Sequence, residues 1–134
     1  MVDSPLQMLT PFITSLIIGF GGGLGAATRF FIYFLLDRGR LWPQWKILLC
    51  INLLGSLAIG YLSGFMLKMH GTYSQLIADV MLTGFLGGFT TFSAFMIEST
   101  EGLLNKRARG VAFFIGVSII GGMALAWLGQ RLSS

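Results

Sequence analysis

Asn52 and Ser56, four positions apart, and Ser63 further along the same apolar stretch place a carboxamide and two hydroxyls on one helical face. A second polar group lies in the run Gly84-Phe85-Leu86-Gly87-Gly88-Phe89-Thr90-Thr91-Phe92-Ser93-Ala94-Phe95, where glycines and hydroxyls interrupt another apolar segment. Amide and hydroxyl donors can replace the water around an anion. The rings of Phe92 and Phe95, three apart and so on one helical face, have positive edges that can contact an anion. Carbonyls freed at a helix break, from Gly87 to Thr90, can coordinate a small hard cation. This is the chemistry of ion handling. Each group also has a plainer reading. Asn52 can join helices, serines can return their hydroxyls to the carbonyl four residues back, threonines can cap a half-helix, and a phenylalanine pair can be packing.

Bond-making chemistry has no support. The single histidine, His70, falls in a loop, no serine or cysteine has a base partner nearby in sequence, and HExxH, CxxC, a P-loop and GxGxxG with a following acid are missing. An enzyme is therefore not expected. Two charges fall within apolar segments, Arg29 and Glu98. Such residues point by default to function. For Arg29 the expectation is structural pairing or a positive vestibule; for Glu98, proton coupling or a place near the membrane surface just beyond Phe95.

Lipid is the setting these groups imply. Of 134 residues, 54% are hydrophobic and only 10% charged, less than half the roughly 25% of soluble domains. Apolar stretches at Phe12–Leu36, Trp45–Leu67, Leu76–Met96 and Val111–Leu128 approach or exceed the ~20 residues a helix needs to cross a bilayer. The expected fold is all-α and integral to the membrane: four spans in one domain over 1–134, the third broken. Asp3 and the absence of a basic leader or cleavage site make the first span a retained one. The loops are short, and Arg38, Arg40, Lys46, Lys106, Arg107 and Arg109 on one side face only Lys68 and Arg131 on the other, which predicts both termini outside. That placement also accounts for the net charge of +4 without nucleic acid. The lone Cys50 is read as lipid-facing or packing surface. Among 19 glycines, Gly21 and Gly25, Gly60 and Gly64, and Gly84 and Gly88 are four apart, a spacing that lets helices approach closely. Gly87-Gly88, beside two threonines, is expected instead to weaken the helix.

Three segments together resemble the Fluc (CrcB) family of small fluoride channels: Gly21-Gly22-Gly23-Leu24-Gly25-Ala26-Ala27-Thr28-Arg29-Phe30, Asn52-Leu53-Leu54-Gly55-Ser56 with Gly60, and Gly84 to Phe95. The last is the most specific, and the likeness covers essentially the whole chain. It implies an antiparallel dimer in a bacterial inner membrane, two fluoride pores at the subunit interface, and a central structural Na+ held by carbonyls of Gly87 and Thr90 from both subunits. It maps the pore to Asn52, Phe92 and Phe95, with hydroxyl contacts from Thr91, Ser93 and, on the least distinctive span, Ser118. It further implies passive export of F− that relieves fluoride toxicity. The charge bias sits awkwardly with insertion in both orientations; a homodimer is preferred to pairing with an oppositely biased sister chain. Two rivals stand beside this reading. One is a small dimeric exporter of cationic drugs with Glu98 exchanging protons, although its glutamate belongs in the first span, where Arg29 stands. The other is a structural accessory subunit, which the broken third span disfavours.

Overall fold

In a computed structural model of the chain, residues 5–38, 42–68 and 74–133 are described. The loops at 39–41 and 69–73, with Arg40 and His70, lie outside them, as does the side chain of Arg38. Four helical spans are long and apolar enough to cross a membrane, at Pro11–Asp37, Gln44–Lys68, Gln75–Leu104 and Ala108–Ser133. The first helix runs over Pro5–Arg38 and the second over Gln44–Lys68. The third begins with Ser74–Ala78, widens to π-helical geometry over Asp79–Leu86 and closes with Gly87–Phe89. After a break it resumes as Phe92–Leu104. The fourth comprises Ala108–Gly116, a π-helical Val117–Gly121 and Gly122–Ser133. The third span runs eight residues past the expected limit at Met96, so Glu98 is within it rather than at its surface end.

Glycines decide which helices touch. A Cβ on Gly25 would strike the Phe85 carbonyl, one on Gly88 the Gly22 carbonyl, and one on Gly84 would come within 2.8 Å of the Ile18 carbonyl. These contacts lock the first helix against the first half of the third. Likewise Gly60 lies on the Ala126 carbonyl, Gly129 on the Leu57 carbonyl and Gly64 on Ser133 Oγ, which binds the second helix to the end of the fourth. Lipid tails are as apolar as leucine, so van der Waals contact between backbones, and not expulsion of water, holds such pairs. Among the described residues the buried apolar set is accordingly small: Ile47, Leu48, Ile51, Leu86, Val111 and Phe114.

The third and fourth spans are joined by a tight turn. Arg107 N–H donates to Gly102 O at 2.9 Å and Lys106 N–H to Leu103 O at 2.9 Å, with Lys106 in the left-handed region at φ 57°. That arrangement satisfies the last carbonyls of the third span. It also seats Gly102 on the Val111 side chain, where a Cβ would collide. The two spans therefore descend side by side from the turn, bringing Phe114 and Ser118 to the level of the break.

Candidate functional site

The break falls at Thr90 and Thr91, whose backbones are extended at φ −79°, ψ 159° and φ −151°, ψ 126°. This corrects the expectation that Gly87-Gly88 would be the weak point: both glycines are helical, and Gly88 packs against the first helix. The threonines break the helix because side chains supply bonds that the helix would otherwise make. In a continuous helix Thr91 N–H would bond Gly87 O; here it donates to Asn52 Oδ1 at 3.2 Å. Ala94 N–H would bond Thr90 O; here it donates to Thr91 Oγ1 at 3.4 Å, capping the second half-helix. Asn52 Nδ2 in turn donates to Thr91 O at 3.4 Å. The carbonyls of Gly87 and Thr90 are thereby deprived of their helical donors. Among the described residues no cluster of three His, Cys, Asp or Glu side chains occurs.

Asn52 thus fills its bonding role between helices and sits at the site as well. Gly55, one turn on, makes room for this: a Cβ there would strike Thr90 Cγ2. Thr90 Oγ1 donates to Leu86 O at 3.0 Å and Ser56 Oγ to Asn52 O at 2.9 Å, the plainer outcome for both hydroxyls. Thr91 Oγ1 and Ser93 Oγ share a hydrogen bond of 3.0 Å.

An open cleft of about 310 Å³ gathers most of the expected residues. Asn52, Ser56 and Ile59 form one wall, Thr90, Thr91, Phe92 and Phe95 another, and Ser118 and Ile119 a third. Ser63 is not among the lining residues, and Ser93 reaches the cleft only through its bond to Thr91. Ser118 Oγ is buried and has no hydrogen-bond partner among the described residues. Hydroxyls elsewhere in the spans, on Ser15, Thr28, Ser99 and Thr100, donate to carbonyls four residues back at 2.8 Å. Ser118 lies instead in the π-helical stretch of the fourth span, a geometry that recurs at functional sites.

Phe92 and Phe95 stack at 5.8 Å between centroids, and Phe95 continues onto Phe114 at 5.3 Å. Phe114 was not anticipated; its spacing of four from Ser118 was the available signal. On the far side of this stack a second cleft, about 450 Å³, is lined by Glu98, Trp45, Arg107, Arg109, Phe113 and Phe114 among others. Glu98 and Asn52 therefore occupy different clefts, and Arg29, half-buried on the first helix, lines neither.

Residues 16–130 match the family model described as CrcB-like protein, Camphor Resistance (CrcB). The chain belongs to the CrcB family. It is similar to Fluoride-specific ion channel FluC 2 of Rhodococcus jostii, 38% identical over 91% of this chain and 100% of the relative. It is similar also to Fluoride-specific ion channel FluC of Methylobacillus flagellatus, at 39% over 87% of this chain and 91% of the relative. A third relative is Fluoride-specific ion channel FluC 1 of Brucella melitensis, at 35% over 87% and 95%. The CrcB chain is accordingly an integral protein of the bacterial inner membrane and not an enzyme.

Proposed function

We propose that this chain is a fluoride-selective channel that passively exports F− and so relieves cytoplasmic fluoride toxicity. The observation that carries the reading is the buried hydroxyl of Ser118, unpartnered among the described residues, in a cleft that also gathers the Asn52 amide, Thr91 and the rings of Phe92 and Phe95. A buried hydroxyl without a partner costs about 1–3 kcal/mol, and a rotation of the Ser118 side chain toward the cleft would let a passing anion satisfy it. Further donors converge there. The amide of Asn52 has two hydrogens and gives one to Thr91 O, leaving one for an ion. The Thr91–Ser93 pair uses one of its two hydroxyl hydrogens internally and leaves the other. Edges of Phe92 and Phe95 complete a coat that can replace water around a small anion while staying dry.

The working unit we infer is an antiparallel homodimer with two pores; pairing with a sister chain is the alternative. Phe92 is 73% exposed and Gly87 is also exposed, and the cleft beside them is open. Polar groups and freed carbonyls cannot face hydrocarbon uncovered, where each costs several kcal/mol. A second copy can bury both breaks against each other. The carbonyls of Gly87 and Thr90 would then hold a central structural Na+, whose charge offsets the cost of dehydrating an anion nearby. Arg29, at the level of the Gly-rich first-helix segment, fits a vestibule or structural charge. Neutral HF enters cells and dissociates, and an inside-negative potential drives the anion outward at about 2.3 kcal/mol per 100 mV. No fuel is required.

A proton-coupled cation exporter needs a carboxylate in the transport path, and Glu98 lies behind the Phe95–Phe114 stack beside Arg107 and Arg109. The two readings separate on pH. In liposomes at symmetric pH a channel releases fluoride without moving protons in exchange, whereas an exporter moves its substrate only with a counter-flow of protons. Obligatory proton exchange, followed with an internal pH dye, would overturn the channel reading.

A further inference from the structure

The cleft at the turn between the third and fourth spans has an apolar floor and a cationic rim. Phe113, Phe114, Val111 and Trp45 supply the floor, and Arg107 and Arg109 stand exposed at its edge. Trp45 opens the second helix at Gln44, and Arg107 immediately precedes the fourth at Ala108, so the rim lies where two spans leave the membrane. Lys46 Nζ sits 5.4 Å from the Trp45 ring, adding a cation at the same level. The groove is open along the fourth helix, since a Cβ on Gly110 would meet nothing within 4 Å.

We propose that this cleft is a binding site for an anionic glycerophospholipid of the surrounding bilayer, its phosphate held by Arg107 and Arg109 and an acyl chain lying on Phe113 beside Gly110. Arginine pairs phosphate oxygens in bidentate fashion, tryptophan settles at headgroup level, and basic pockets between spans take acidic headgroups. The opposing charges are Glu98 and its neighbour Glu101. Glu98 lies six residues before the end of the third span at Leu104, about 9 Å deeper along the axis at ~1.5 Å per residue, and these two carboxylates against Arg107, Arg109, Lys106 and Lys46 leave the rim cationic. Anionic lipid is favoured over a second protein copy because the charge is concentrated at the end of the spans while the exposed ring of Phe113 extends the apolar side of the cleft along the fourth helix. The site requires neither fluoride conduction nor dimerisation.

The test is native mass spectrometry of the purified full-length chain equilibrated with phosphatidylglycerol and phosphatidylcholine of identical acyl chains. The expected result is selective retention of phosphatidylglycerol, lowered roughly tenfold or more in R107Q/R109Q. Gly110→Leu, which fills the groove without changing charge, should lower retention of the lipid too, while Arg131→Gln, at the opposite end of the fourth span, should leave it unchanged. Equal retention of the two lipids, or phosphatidylglycerol retained undiminished by monodisperse R107Q/R109Q and Gly110→Leu proteins, would overturn the site. So would a dimer that dissociates in R107Q/R109Q with no lipid bound in the wild type, which would make the cleft a contact between copies.

Discussion

Asn52 and Thr91 hold each other by two hydrogen bonds running in opposite directions, Thr91 N–H to Asn52 Oδ1 at 3.2 Å and Asn52 Nδ2 to Thr91 O at 3.4 Å. A single side chain on the second span therefore reads both backbone groups of the residue at the break. It maintains the extended geometry that a helix would abolish, and it holds a donor at the cleft.

Replacing Asn52 separates these two effects. Asn52→Asp keeps an acceptor for Thr91 N–H but sets a carboxylate oxygen against the Thr91 carbonyl and a negative charge in the anion path. Like charges about 4 Å apart repel by about 4 kcal/mol at an effective dielectric of about 20, well above the ~1.4 kcal/mol that equals tenfold in rate. Fluoride flux should fall by more than about tenfold. Asn52→Leu should lower the unfolding temperature as well, because it leaves Thr91 N–H unsatisfied. Undiminished flux in Asn52→Asp, measured by fluoride electrode, would remove Asn52 from the path.

Ser118 gives the opposite pattern. Its hydroxyl has no partner to lose, so Ser118→Ala should leave the unfolding temperature unchanged or raise it, by relieving up to about 1–3 kcal/mol of desolvation cost. Flux should drop about tenfold or more, since a hydrogen bond to a charged group is worth about 1.5–3 kcal/mol. A destabilised variant with normal flux would show a structural hydroxyl.

The neighbouring glycines at the end of the first half-helix should respond differently to the same change. Gly88→Ala drives a methyl into the Gly22 carbonyl, where only separation of the first and third helices can make room; the cost should be about 1–3 kcal/mol. Gly87→Ala meets only Leu82 O at 3.8 Å and should fold normally. Thermal unfolding of both proteins in the same detergent checks the contrast.

Much of this was legible in the sequence. The four spans followed from segment length and apolarity, and the glycine spacings in the first and second spans foretold contacts such as Gly25 on Phe85 and Gly60 on Ala126. The third span was visibly interrupted, but the exact break was not legible. Two adjacent glycines look weaker than two threonines on local propensity alone, and the deciding bonds come from Asn52, 39 residues away. Tertiary bonding overrode propensity there. The π-helical stretches leave no local mark, so in the sequence Ser118 is singled out only through the family resemblance, and its place in one cleft with Phe95 and Asn52 is visible only in the fold. For Glu98 the sequence leaves two places open, in the transport path or near the membrane surface just beyond Phe95, because the apolar run thins out after Met96 although the helix continues to Leu104.

The proposed antiparallel homodimer predicts a position-dependent cross-link. Residues on the two-fold axis of such a dimer meet their own copies, and exposed Gly87 is the candidate nearest the breaks. In a Cys50→Ala background, Gly87→Cys should form a disulfide-linked dimer on mild oxidation in membranes. Leu104→Cys, at the end of the third span and 78% exposed, should not, because its copy would lie across the bilayer, about 30 Å away. Cross-linking at position 104 but not at 87 would indicate a parallel assembly.

Fluoride efflux from liposomes holding the purified protein tests the central claim most directly, with a potassium gradient, valinomycin for charge balance and chloride efflux followed in parallel. Rapid fluoride release that depends on valinomycin, with negligible chloride release, is the result expected of an electrogenic and selective channel built on Asn52, Phe92, Phe95 and Ser118. Well-folded protein that releases no fluoride, or that releases chloride equally fast, would contradict it.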